Sequence, residues 1–127
     1  MALTGPSGSG KSTLLNLISG LDEVTSGTIS INKNLITSLD ADELCIFRNE
    51  NISVVFQFFN LINDLTVSEN ISLPLLLRGE NKKDIVKKVD KLVVDLGLND
   101  RADYRTYLLS GGESLRLAIA RGLITNP

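Results

Sequence analysis

The stretch Gly5-Pro6-Ser7-Gly8-Ser9-Gly10-Lys11-Ser12, continued by Thr13, decides how the rest of the chain is read. It fits the pattern glycine, four free positions, glycine, lysine, then serine or threonine, at every constrained place. Each residue type has a physical reason there. The glycines permit tight turns and let the backbone come close to a ligand. Successive backbone N–H groups form a concave nest for phosphate oxygens, and the helix starting at the end of the loop favours an anion at its N-terminus. Lys11 is placed to reach the β- and γ-phosphates of a nucleotide, while Ser12 offers a hydroxyl ligand to Mg²⁺. Charge-assisted hydrogen bonds of this kind contribute about 1.5 to 3 kcal/mol each, so several together hold a triphosphate. A flexible glycine and serine turn is the competing reading. The setting speaks against it: residues 1–4 read as the end of a buried strand, and a helix follows from about Lys11 to Ser19.

A second run of the same character, Leu109-Ser110-Gly111-Gly112-Glu113, stands near the other end. Serine is a good N-cap and paired glycines admit a close backbone approach, so this run also presents amide N–H groups to an anion. Two phosphate-directed helix starts in one small chain predict a nucleotide gripped from two sides.

Between them the order reads strand, helix, small hairpin, strand, then a block of helices. Residues 27–31 alternate in strand fashion between two turns, and residues 39–48 fit a short helix. The β-branched and aromatic run 51–56 reads as a buried strand ending in Gln57, at the end of a strand where open α/β sheets bind ligands. A neutral amide there is able to coordinate Mg²⁺ or orient a water, but by position alone Gln57 reads as a solvated strand terminus. Thr66-Val67-Ser68-Glu69 has capping-box spacing ahead of an apolar stretch, 71–77, that Pro74 interrupts. Ile85, Val86, Val89, Leu92, Val93 and Leu96 recur with a helical period, a lysine-rich solvated face lies opposite, and Gly97 acts as a stop. The last segment places Leu115, Ala118, Ile119, Gly122 and Leu123 on one helical face. The fold class expected is α/β, with helices inserted into a P-loop core.

Composition sets bounds. The 127 residues make one domain by length, and 43% hydrophobic with 22% charged residues is an ordinary globular balance. A net charge of −2 supplies no broad cationic surface and argues against nucleic acid as a partner. With a single cysteine and no histidine, neither an intrachain disulfide nor a multi-cysteine or histidine metal site can form. Cys45, beside Leu44, Ile46 and Phe47, is expected to be a packed hydrophobe. No apolar run approaches the roughly 20 residues that span a bilayer.

The loop of Gly5 to Thr13, Gln57 after Val54-Val55-Phe56, Asn60-Leu61, Leu65-Thr66 with Glu69-Asn70, and Ser110-Gly111-Gly112-Glu113 followed by Ala118-Ile119-Ala120-Arg121 stand in the order seen in ABC transporter ATPases. Over essentially its whole length the chain resembles that family. Residues 5–22 and 69–79 look most like the lipoprotein-releasing, macrolide-exporting and cell-division type of ATP-binding subunit. The resemblance implies a Walker A site made of Gly5, Pro6, Ser7, Gly8, Ser9, Gly10, Lys11, Ser12 and Thr13, with ATP and Mg²⁺ as ligands. It makes Gln57 the Q-loop residue, near the Mg²⁺ that Ser12 binds, and Ser110, Gly111, Gly112 and Glu113 the signature loop, which acts on ATP held by a second subunit. It divides the chain into a P-loop core portion at 1–59, a helical subdomain at 60–108 and the signature loop with its helix at 109–127. The partners implied are a second ATP-binding subunit and a membrane-spanning permease that holds the protein at the cytoplasmic face of the membrane. Leu73, Leu75, Leu76 and Leu77 lie in the block that docks on that permease and could form part of the contact, although core packing is the expected use for most of them.

Departures accompany the matches. Ser114-Leu115 stands where the family usually has glutamines, and Ser53 replaces a glycine common before the Q-loop strand. The family's first strands with their adenine-stacking aromatic, and everything from the Walker B aspartate and catalytic glutamate onward, have no counterpart in these residues, so no catalytic residue is assignable. The expectation is a partial, hydrolysis-deficient stretch of an ABC ATPase. A nucleotide-independent remnant that binds a transporter partner is the alternative. A P-loop kinase or GTPase fits less well, since no Asn-Lys-x-Asp motif occurs and the Ser110 run would go unexplained.

Overall fold

The computed structural model describes residues 2–127 and separates into two compact units, 1–52 and 53–127. In the first unit the loop leads into α1 (Lys11–Ile18), then a hairpin of β1 (Ser30–Ile31) and β2 (Asn34–Leu35), and α2 (Ala41–Asn51). The hairpin is antiparallel, pairing Ser30 with Leu35 and Ile31 with Asn34. Asn32 and Lys33 turn it, with φ of 49° and 69°. Two successive left-handed residues give the turn whose twist matches its flanking strands. The backbone then bends through a single 3₁₀ turn (Ile36–Ser38) that buries Ile36. Asp40 caps α2 in a reciprocal box: its carboxylate accepts from the Glu43 amide at 2.8 Å, and the Asp40 amide donates to Glu43 at 3.0 Å. Arg48 reaches back from α2 to donate to the Gly20 carbonyl at 2.7 Å. Gly20 has φ of 66°, and a Cβ there would meet Leu44 Cδ1 at 3.0 Å, so α2 packs where only glycine leaves room.

The second unit holds the core. Helices α3 (Val67–Leu77), α4 (Lys82–Asp95) and α5 (Gly111–Leu123) pack together, α3 lying against both of the others. Val67, Ile71 and Leu75 of α3 meet Ile85, Val89 and Val93 of α4 and Leu117 and Ala120 of α5, with Leu98 and Ile124 closing the cluster. Burying each of the larger aliphatic side chains contributes about 1.5 to 3 kcal/mol, which makes this cluster the main source of the unit's stability. The box predicted at Thr66 forms: its hydroxyl accepts from the Glu69 amide at 3.2 Å, and the Thr66 amide donates to Glu69 at 2.7 Å. Pro74 sits inside α3 and removes one backbone donor without ending the helix, which stops at Gly79 (φ 71°). Gly97 (φ 62°) ends α4 as predicted.

Several expectations are corrected. Ala2, Leu3 and Thr4 are exposed and make no strand, and Met1 lies outside the described residues. The run 51–56 is not a buried strand either: α2 continues through Asn51, and Val54, Val55 and Phe56 are exposed. A strand forms only beside a neighbouring strand that completes its ladder of hydrogen bonds. Among the described residues the hairpin is the only sheet, so these segments find none. Of residues 27–31 only Ser30 and Ile31 pair. Val86 faces solvent at 57% exposure, one step off the stripe that Ile85, Val89 and Val93 bury. On α5 the buried residues are Leu117, Ala118 and Ala120, whereas Leu115 and Leu123 are exposed. Cys45 is exposed, not packed, because α2 buries none of its residues.

Candidate functional site

The first unit presents the anion loop. Gly5, Gly8 and Gly10 take φ of 157°, 80° and 83°, and the last two lie where a side chain would be strained. Gly10 is the N-cap of α1 and, having no side chain, cannot cap it, so the first-turn amides of Lys11, Ser12 and Thr13 lack a side-chain partner. The first backbone bond of the helix comes from Leu14, which donates to the Gly10 carbonyl at 2.9 Å. Within the loop, Ser9 N–H donates to the Pro6 carbonyl at 3.3 Å. Lys11 folds over this turn, its Nζ donating to the Gly5 carbonyl at 2.8 Å, the Pro6 carbonyl at 2.5 Å and Ser9 Oγ at 3.1 Å. Apart from the Ser9 amide, the loop is thus a cradle of uncommitted amides, closed by one cation and open to solvent. A triphosphate fits that donor set, and the exposed Ser12 hydroxyl beside it suits Mg²⁺.

The second unit presents Ser110 to Glu113 at the start of α5. Ser110 is the N-cap: its Oγ accepts from the Glu113 amide at 3.3 Å and donates to Glu113 Oε2 at 2.8 Å, and its own amide donates to the same oxygen at 2.8 Å. Arg101 Nε donates to Glu113 Oε1 at 2.9 Å, while its guanidinium lies 4.8 Å from the centre of the Tyr104 ring. The Ser110 amide, then its hydroxyl, then Arg101 pull the Glu113 carboxyl down to about 2. Gly111 and Gly112 need no left-handed backbone. A Cβ on Gly111 would meet nothing within 4 Å, and one on Gly112 only Arg116 Nη1 at 3.7 Å. Nothing in the chain's own packing asks for glycine at either place.

Gln57 is exposed and belongs to the second unit, whereas Ser12 belongs to the first. It lies inside a turn in which Phe59 N–H donates to the Phe56 carbonyl at 3.0 Å. Phe59 and Asn60 have φ of 59° and 47°. Asparagine enters this region readily, but a left-handed phenylalanine costs about 1 to 2 kcal/mol, so something must hold Phe59. Arg121 of α5 does so: Nη1 donates to the Asn60 carbonyl at 2.7 Å and Nη2 to the Phe59 carbonyl at 2.8 Å. Burial pushes the Arg121 pKa down, the sign of a partly desolvated guanidinium.

Sequence reading did not find these supports. Asn70, fully buried, accepts from Ile62 N–H at 3.0 Å and donates to the carbonyls of Ile62 and Thr66 at 3.0 Å each, fixing the loop ahead of α3. The capping-box spacing of Asp40 and Glu43 is a local signal that could have found the α2 cap. The partners of Arg101 and Arg121 carry no local signal. Leu75 is core, while Leu76 and Leu77 are exposed, at 46% and 79%.

The sequence profile of the ABC transporter family matches residues 1–127. The lipoprotein-releasing system ATP-binding protein LolD of Colwellia psychrerythraea is 43% identical over the whole chain, which covers 49% of that protein. An uncharacterized ABC transporter ATP-binding protein of Mycobacterium tuberculosis is 47% identical, again over the whole chain and 51% of that relative. The chain therefore spans about half the length of the curated relatives it matches. Among solved structures, the dimeric bacterial ABC transporter cassette MJ0796 superposes with a TM-score of 0.87 at 41% identity, over 96% of this chain and 54% of that one. A post-hydrolysis dimer of the same cassette, bound to ADP and Pi, matches equally well. These likenesses give the chain the α/β fold of the P-loop NTPases, and the chain belongs to the ABC transporter family.

Proposed function

We propose that these residues are the nucleotide-gripping part of an ABC transporter's ATP-binding subunit. Gly5, Pro6, Ser7, Gly8, Ser9, Gly10, Lys11, Ser12 and Thr13 hold the phosphates of ATP, and Ser12 with Gln57 serves its Mg²⁺. The observation that carries this reading is the exposed loop whose amides are uncommitted while Lys11 is folded over it. ATP supplies a phosphoanhydride bond; the chain's residues bind and orient it.

Ser110, Gly111, Gly112 and Glu113 act on ATP held by a second subunit. Support comes from the two glycines, which the chain's own backbone and packing leave unexplained and which a phosphate approaching from outside would require. The solved cassette MJ0796 is a dimer, which fits a site completed in trans. Residues 1–59 form the P-loop portion, 60–108 the helical subdomain and 109–127 the signature segment. The membrane partner is a permease that the helical subdomain contacts, which places the protein peripherally at the cytoplasmic face of the membrane. Among the described residues no helix is long and apolar enough to cross a membrane itself.

No acid positioned to activate water is assignable here, so a polypeptide of these 127 residues hydrolyses ATP slowly. Loss of a general base alone removes about 10² to 10⁴ in rate. Titration calorimetry with a non-hydrolysable ATP analogue tests the binding. The wild-type chain binds with one site and Lys11→Ala weakens it at least tenfold, as expected for loss of a charged contact worth about 1.5 to 3 kcal/mol. Equal affinity of the two chains, or no binding by either, returns the chain to a nucleotide-independent partner-binding module.

A further inference from the structure

We infer that Arg121 is a positioning residue: it sets the direction of Gln57 and couples that direction to the helix that starts at Ser110. The inference rests on the nucleotide reading above. Its geometry is local to one compact unit. The guanidinium grips two successive carbonyls, Phe59 and Asn60, at 2.8 and 2.7 Å, from a position 62 and 61 residues later in the sequence. Those carbonyls converge because Phe59 and Asn60 both adopt left-handed backbone, a conformation that asparagine enters readily and that phenylalanine does not favour without an external hold. Gln57 stands inside the turn closed by the Phe59 to Phe56 hydrogen bond, so fixing residues 59 and 60 fixes where residue 57 points. A planar fork of donors is suited to two adjacent oxygens, and an ammonium is not. The same helix begins at Ser110, eleven residues or about 16 Å from Arg121 along its axis. A rotation of α5 that moved Arg121 would therefore move the Gln57 turn and the Ser110 loop together.

Asn60 offers a way to vary the hold on this turn. Its φ of 47° is one that glycine adopts freely, so Asn60→Gly relieves part of the strain and lowers the demand on Arg121. Gly122, the next residue, has Ser53 against it, so the end of α5 is seated on the segment that leads into the turn.

The test measures ATP affinity of the full chain with Mg²⁺ and with a chelator, and takes the ratio. If Gln57 serves the metal, wild type binds about tenfold more tightly with Mg²⁺, the size of one contact to a charged group. Gln57→Ala lowers that ratio severalfold, with Ser12 still in place. Arg121→Met does the same, the double variant loses nothing further, and Arg121→Lys is intermediate and is raised by Asn60→Gly. Far-ultraviolet circular dichroism on each variant reports folding. If Arg121→Met unfolds, the comparison of Arg121→Lys with and without Asn60→Gly decides the matter. A wild-type ratio in a folded Arg121 variant overturns the inference, as does a wild-type ratio in Gln57→Ala. Lys11→Ala separates the two levels: if it binds ATP like wild type, the nucleotide reading falls and the inference falls with it, whereas its loss of binding leaves the Arg121 result to stand by itself.

Discussion

Ser53 Oγ occupies the space that a side-chain carbon on Gly122 would need. A Cβ built on Gly122 falls inside contact distance of that oxygen and lies 3.4 Å from Ser53 Cβ. The two residues, far apart in sequence, are one steric unit. Alanine in a helix is favoured over glycine by about 1 kcal/mol, but here the gain is offset by turning the Ser53 hydroxyl away. We predict that Gly122→Ala is close to neutral in the wild-type chain and stabilises by about 1 kcal/mol more in a Ser53→Ala background. Urea unfolding of the four chains in this cycle measures the coupling. Purely additive effects would show that the two side chains do not compete.

Glu113 gives a pH dependence with a defined sign. Its carboxyl ordinarily titrates at 4.5 and is held at about 2 in the folded chain, first by the Ser110 amide. A depressed folded-state pKa means that the stabilisation of the α5 cap is complete above about pH 4.5 and is lost as pH falls towards 2. Glu69 is shifted in the same direction by the Thr66 amide. The Ser110 amide resonance should therefore titrate near pH 2 in wild type and stay flat in Glu113→Gln, since glutamine caps without ionising. A Ser110 titration centred near 4.5 would show that the box does not hold the carboxylate.

Asn70 carries a prediction about stability. Its buried amide makes the three contacts at 3.0 Å that fix the backbone of Ile62 and Thr66. Asn70→Ala leaves those groups without their partner and creates a small void, so it should cost about 2 to 4 kcal/mol in urea unfolding. Asn70→Asp keeps the acceptor for Ile62 N–H but sets a carboxylate against two carbonyl oxygens. It should be at least as harmful at neutral pH and less so in acid. An Asn70→Ala loss within about 0.5 kcal/mol would mean that water replaces these bonds.

What could be read from the sequence was whatever is local. Gly5 to Lys11 announces its loop because every constraint lies within a few residues, and Thr66 with Glu69, or Gly97 after α4, encode caps and stops in the same way. The run 51–56 misled because β-branched composition signals a strand only where neighbouring strands exist to pair with it, and among the described residues none does. Val86 and Leu115 misled because apolar residues one step off the buried stripe satisfy a loose helical period equally well. The long-range supports, Arg121 to Asn60 and Arg101 to Glu113, are three-dimensional coincidences of polar groups that no spacing rule encodes.

The central claim is that the amides of the Gly5 to Thr13 loop bind the phosphates of ATP. An amide-resolved nuclear magnetic resonance titration of the labelled chain with Mg²⁺ and ATP tests it most directly. The account predicts saturable shifts of Gly8, Gly10, Lys11, Ser12 and Thr13, abolished in Lys11→Ala, with Gly111 and Gly112 unmoved in a chain that remains monomeric. Shifts confined to Gly111 and Gly112, or no saturable shift in the loop, would contradict it.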